Sequence, residues 1–280
     1  MSRPGNTKRI ADSTKDVDPA AAGVEATEVR SAHGQPRPSG LESARMPSAA
    51  ERTRTLVQGT CSAVLLVTGL ETARSEQLMP SARAVGPDGE VFLLLPADSP
   101  AVRAAAHAQD DELSAVLEIT DVAPVSVPHR IRGRAWVSGW LTTTPGAADP
   151  GTAMLRLEVG ELRVDDLWGT APVDPDDFAR ADPDPLAGHE AELLQHLHAA
   201  HGPQMQELCG LLGERAAALS GPDGEGPAPR AIPLALDRFG LRVRFAGSHC
   251  FDARFDFPEP VRDITGLRRA MHTLFEAAAH

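Results

Sequence analysis

The feature that most constrains this chain is a series of strand signals packed closely between residues 61 and 167. CSAVLLVTG (61–69) is a continuous apolar run, as for a strand buried on both faces. PSARAV (80–85) and EVFLLLP (90–96) flank the turn sequence GPDG and predict a hairpin. LSAVLEIT (113–120) is a further strand. HRIRGRAWVSGWL (129–141) alternates with period two, placing Ile131, Gly133, Ala135 and Val137 on one face. MLRLEVGELRVDDL (154–167) alternates as well. Helices are expected at 48–59, where Ser48 and Glu51 form a capping box, and at 99–108, behind Ser99 and Pro100. Short strands at this spacing predict a small β-barrel rather than a βαβ sheet.

Residues 171–188 (APVDPDDFARADPDPLAG) are rich in Pro and Asp and read as a linker. A helix (189–212), strands (231–237, 241–246, 253–257) and a closing helix (264–278) follow, forming an α/β sandwich. The domain boundaries are therefore a disordered tail over 1–45, a barrel over 46–182 and a small α/β domain over 186–280. The tail has no aromatic and almost no large aliphatic residue, so it cannot bury enough surface to offset the entropy of ordering. Met46 opens the folded region and is expected to be the true initiator.

The formal net charge of −12 argues against nucleic-acid and anionic-membrane partners, which select basic patches. No apolar run approaches the roughly 20 residues of a membrane span. Cys61, Cys209 and Cys250 are too sparse for a disulfide framework. With no secretory leader in the sequence, a cytoplasmic location is expected. No G-x-S-x-G elbow, Cys–His pair or Gly-rich phosphate loop suggests nucleophilic or nucleotide chemistry.

HLHAAH places His196, His198 and His201 on the helix at 189–212. His198 and His201, three apart, would reach one metal or one heme edge, with His196 off to the side. No further ligand at zinc spacing accompanies them, so no metal site is expected. Pro203 should break the helix just after His201.

These segments resemble a known family. AERTRTLV, PSARAVGPDGEVFLLLPADSPAVR and RIRGRAWVSG are similar to the FMN-binding split barrel of pyridoxamine-phosphate-oxidase-like proteins. The second part resembles the small domain of heme-utilisation (HugZ-type) proteins and of the plastid glutamyl-tRNA-reductase-binding protein. That domain carries H-x-N-x-D-H; here the outer histidines match at His196 and His201, while His198 and Ala200 replace the Asn and Asp. D-x-x-G-L matches at Asp237 and Gly240–Leu241, and F-P-x-P-V at Phe257–Val261.

The resemblance implies an α+β chain: a split β-barrel followed by a small α/β sandwich, homodimeric, with heme or FMN in the dimer cleft. Flavin-binding relatives grip the phosphate from strand two and the helix after strand three, which points to Ser81, Arg83, Ser99 and Arg103. The same groups would suit a heme propionate. Arg132, between Arg130 and Arg134 on one strand face, is a further anion candidate. His198 and His201 are the candidates for a heme edge, whereas His280, which family heme degraders would use near the chain end, reads here as a solvated terminus. The implied function is heme binding in degradation, trafficking or control of tetrapyrrole metabolism. An FMN-dependent oxidoreductase is the alternative, and a non-catalytic adaptor contacting a biosynthetic enzyme through the acidic segment 174–184 is a third.

Overall fold

The computed structural model describes residues 45–108, 113–144, 146, 149–219, 229–247 and 249–279. Residues 1–44 of the expected tail and His280 lie outside the described residues, whereas Arg45 is described and donates to the Pro258 carbonyl.

The barrel is one curled antiparallel sheet of seven strands, ordered β1-β4-β5-β6-β3-β2, with β7 paired to β6. The strands are β1 (Ser62–Val67), β2 (Ala82–Val85), β3 (Val91–Pro96), β4 (Ser114–Val122), β5 (Ile131–Thr143), β6 (Thr152–Asp166) and β7 (Gly169–Val173). β5 and β6 are long enough to carry the curl, and the free edge of β6 is shared by β3 at one end and β7 at the other. Gly89, at φ 84° in the β2–β3 turn, supplies the left-handed backbone that the hairpin requires. Gly139 sits at a bulge between β5 and β6, where a Cβ would fall 1.8 Å from the Glu158 carbonyl oxygen.

Alternation turns Leu65, Leu93, Leu117, Ile119, Val137, Leu155 and Leu157 inward, all with no exposed surface. With aromatics at only 4%, this core is aliphatic. Helix α1 (Ala49–Gln58) starts at the expected capping box: Ser48 Oγ accepts from Glu51 N–H, and Glu51 accepts from Ser48 N–H. Helix α2 (Pro100–His107) starts at Ser99 as expected.

The segment 171–188 is not a linker. It holds β7, the short helix α3 (Pro175–Arg180) capped by Asp174, and the fully buried side chains Phe178 and Leu186. Its acidic residues mask a sparse apolar pattern that anchors both domains.

The second domain is a three-stranded sheet, β10-β9-β8, with β8 (Arg230–Asp237), β9 (Gly240–Ala246) and β10 (Cys250–Asp256). Helices α4 (Glu190–Ala200), α5 (Gly202–Glu207) and α6 (Ile264–Ala278) bring Leu194, Leu197, Met205, Leu267 and Met271 into one core with Leu241, Val243 and Phe245. The helical stretch expected over 189–212 is α4, α5 and a following 3-10 stretch, and it breaks at His201, just ahead of Gly202–Pro203, as expected. No described helix is long and apolar enough to cross a membrane.

β9 is buried on both faces, from Gly240 to Phe245. One face meets the helices. The other presents Arg242 and Arg244 toward the barrel, where Arg244 donates to the carbonyls of Pro128 and His129. Arg244 also holds Asp252 in a fully buried bidentate pair, at 2.6 and 2.8 Å. The barrel residues Ala123, Val125, Val127 and Leu167 join the second core, so the two domains share one apolar boundary.

Candidate functional site

A cavity of about 360 Å³ lies at this boundary. Two β-bulges build its wall. On the barrel side, Asp121 pairs with Gly133 and Val122 with Ile131, so Arg132 is the extra residue of β5 and is re-aimed out of the alternating pattern. On the small-domain side, Leu234 is the extra residue of β8, and its carbonyl is released from the ladder. Arg132 Nη1 donates to that carbonyl at 3.0 Å.

Arg132 also grips Asp121 through Nε and Nη2, both at 2.9 Å, and Glu190 through Nη1 and Nη2, at 2.7 and 3.0 Å. Burial works against its charge, but Glu190 and Asp121 outweigh it and hold the guanidinium above its ordinary pKa. Burial pushes Glu190 up, and Arg132 opposes that rise. A cation serving two carboxylates and a carbonyl has little left for a ligand.

Beside it, Arg52 Nε donates to Asp166 at 2.8 Å, and Arg254 holds Asp237 bidentately at 2.7 and 2.9 Å. Asp184 accepts from the amides of Leu186 and Arg238. Burial pushes the carboxyls of Asp166 and Asp184 up. The guanidiniums of Arg242 and Arg254 lie over the Trp168 ring, 4.7 and 4.6 Å from its centroid.

A second hollow, of about 570 Å³, lies on the barrel surface. Leu66, Val116, Trp140, Gly139 and Gly160 line it, with Glu71 and Glu161 at hand. Leu66 is 46% exposed and Trp140 49%, so this is an open apolar shelf.

The residues expected from the sequence are scattered. Arg83 donates to the carbonyls of Val57, Gly59 and Cys61 at 3.0, 2.7 and 2.8 Å, closing the end of α1. Ser99 is buried, donating to Gln77 O at 2.7 Å and capping α2. Ser81 donates to Leu94 O, and the exposed Arg103 donates to Asp98 O. Of that group, Arg132 alone lines the junction cavity.

The histidines also differ from expectation. His201 pairs with His196, Nε2 to Nε2 at 3.3 Å, and stacks on Phe275 at 5.8 Å; His198 is exposed. The physical reason is that His201 is not helical. It terminates α4 at φ −120°, ψ 27°, so helical spacing no longer relates it to His198. Among the described residues, no group of three or more His, Cys, Asp and Glu is arranged to hold a metal ion.

The sequence reading missed Arg242, Arg254, Asp166 and Trp168. In GLRVRF the arginines alternate with Leu241 and Val243, a pattern that ordinarily faces solvent. Only the barrel packed against that face makes it interior.

A heme-binding protein from Mycobacterium smegmatis aligns with 84% of this chain and 99% of its own, at 20% identity and a TM-score of 0.54. The two share a fold. The match covers more of this chain than either domain alone. An FAD- and heme-binding protein from the same organism covers 49% of this chain and 80% of its own, at 17% identity and a TM-score of 0.30. A protein of unknown function from Agrobacterium tumefaciens covers 80% and 94%, at 15% and 0.34. These last two superpose too loosely to bear on the fold. No family model matches the sequence, and no curated protein does.

Proposed function

We propose that this protein binds heme on the outer shelf of its barrel and acts as a heme carrier in tetrapyrrole metabolism. The observation that carries the reading is the shared two-domain fold with a heme-binding protein. The shelf supports it: the indole of Trp140, Leu66 and Val116 offer an apolar wall, and Gly139 and Gly160 leave it unobstructed.

The fit is to the macrocycle and not to the iron. Among the described residues no His, Met or Cys lines the shelf, and none of its side chains is cationic. A degradative role would need an iron ligand at this face, so the reading favours carriage and release over breakdown. A second copy laid over the shelf would cover the outer side of the ring, in keeping with the homodimer that the family resemblance implies. Bound heme would supply the redox-active iron; the chain itself supplies the apolar seat. FMN gains no comparable support, because Ser81, Arg83, Ser99 and Arg103 are all engaged with backbone carbonyls.

The test is titration of the full chain with hemin, read at the Soret band, alongside FMN and with the mass followed by light scattering. The reading expects saturable hemin binding by a dimer and no tight FMN binding. Trp140→Ala and Leu66→Ser should each weaken hemin binding at least about tenfold, the order of one large apolar contact. Absence of hemin binding would refute the function, and unchanged binding in both variants would refute the shelf.

A further inference from the structure

Arg242 is the anomaly of the junction cavity. It is 1% exposed, and among the described residues neither Nη1 nor Nη2 has a hydrogen-bond partner. Native chains seldom leave a buried guanidinium so, because each unmatched donor forfeits its hydration. Every carboxylate lining the cavity is already taken. Asp121 and Glu190 hold Arg132, Asp166 holds Arg52, Asp237 holds Arg254, and Asp184 holds two backbone amides. The fields of Asp252, Asp166 and Asp237 reach Arg242 without a hydrogen bond, and burial still lowers its pKa to about 10. A bare donor pair on a residue that lines a cavity is a place prepared for an acceptor that the chain itself does not supply.

We propose that the junction cavity binds a small planar monocarboxylate, gripped by Arg242 and seated against Trp168. The paired Nη donors of a guanidinium match the two oxygens of a carboxylate. The charge of the ligand follows from its surroundings. The lining already carries five carboxylates against four arginines, and Arg242 is the one of those arginines whose terminal nitrogens hold no acceptor, so a single negative charge placed on Arg242 is opposed less than a dianion such as phosphate. Planarity follows from the stack already there: the flat guanidiniums of Arg242 and Arg254 lie over the Trp168 ring, and a flat ligand on Arg242 extends that stack. A volume of about 360 Å³ lies at the small end of ligand pockets. The cavity lies between the two domains and shares no lining residue with the shelf on the barrel surface, so the two sites are separate. The terminal nitrogens are covered, so a neighbouring side chain must shift for a ligand to reach them, and the Trp168 ring stacked on the guanidinium is the candidate.

The experiment is calorimetric titration of the full chain with benzoate, benzamide and inorganic phosphate. Benzoate should bind saturably with a dissociation constant on the order of 1 mM or tighter. Benzamide and phosphate should bind at least about tenfold more weakly. Arg242→Met should fold at least as well as the parent, since it removes an unpartnered buried charge, yet lose benzoate binding at least about tenfold. Trp168→Ala should weaken benzoate as well, and it stands as a second variant if the first does not fold. No heat from benzoate up to about 10 mM, or unchanged binding in Arg242→Met, would overturn the proposal. Phosphate binding as tight as benzoate would overturn the ligand class. Displacement of benzoate by hemin would overturn the separateness of the site while leaving the heme reading intact.

Discussion

Replacing Arg132 with Met should loosen the two domains from each other. Arg132 makes five hydrogen bonds: two to Asp121 on β4, two to Glu190 at the start of α4, and one to the bulged carbonyl of Leu234 on β8. Removing it strands two carboxylates. Breaking a buried pair from one side costs about 3–5 kcal/mol. Asp121 and Glu190 keep 14% and 20% of their side-chain exposure, so the low end, about 3 kcal/mol, applies. The unmatched carbonyl adds about 1 kcal/mol, for a total of about 4 kcal/mol. With a urea slope of about 3 kcal/mol/M, the unfolding midpoint at pH 7 should fall by about 1.3 M.

The deficit should also depend on pH. Burial already places Glu190 above its ordinary value of 4.5, with Arg132 opposing. Without Arg132 the rise is larger. A carboxyl with a raised folded pKa favours folding below its unfolded value, and that contribution is lost as pH rises through the folded value. The deficit of Arg132→Met should therefore shrink as the pH is lowered from 7 toward 5. Adding Glu190→Leu to Arg132→Met should restore part of the loss at pH 7, because it removes one stranded charge. A midpoint shift under about 0.3 M, or a deficit that grows on acidification, would refute the clamp.

Other outcomes follow from the same geometry. Arg83→Ala removes the donor to three carbonyls at the end of α1 and should cost about 2–4 kcal/mol in thermal or urea unfolding; a neutral result would show that water replaces it. Burial and the nearby Asp121 push the Cys61 thiol up to about 12, so at pH 8 it should react with a thiol reagent roughly 10³-fold more slowly than a free cysteine, as followed by mass spectrometry. Phe178→Ala should cost about 3–5 kcal/mol, since the ring is fully buried; a loss below about 1 kcal/mol would return the Pro- and Asp-rich segment to linker status.

Much of the architecture was legible in the sequence. The capping box at Ser48, the Ser99–Pro100 helix start, the GPDG hairpin and the alternation of β5 and β6 all act locally, through hydrogen bonds and side-chain periods that few residues decide. The break after His201 was legible too, because a proline acts on its own turn. Phe178 and Leu186 were hidden because single apolar residues among Asp and Pro show no period.

The junction was set by tertiary structure. Local alternation placed Arg132 on one strand face with Arg130 and Arg134, until one extra residue at a bulge swung it between domains. Arg242 and Arg254 belong to strands whose pattern suits a sheet with one wet face, and the barrel dries that face. A strand's period states which residues share a face. What that face meets depends on surfaces more than 100 residues away, as the Arg244 contact with Pro128 illustrates. The pairing of charges depends on that meeting, and so does Arg242, whose terminal nitrogens have no hydrogen-bond partner among the described residues.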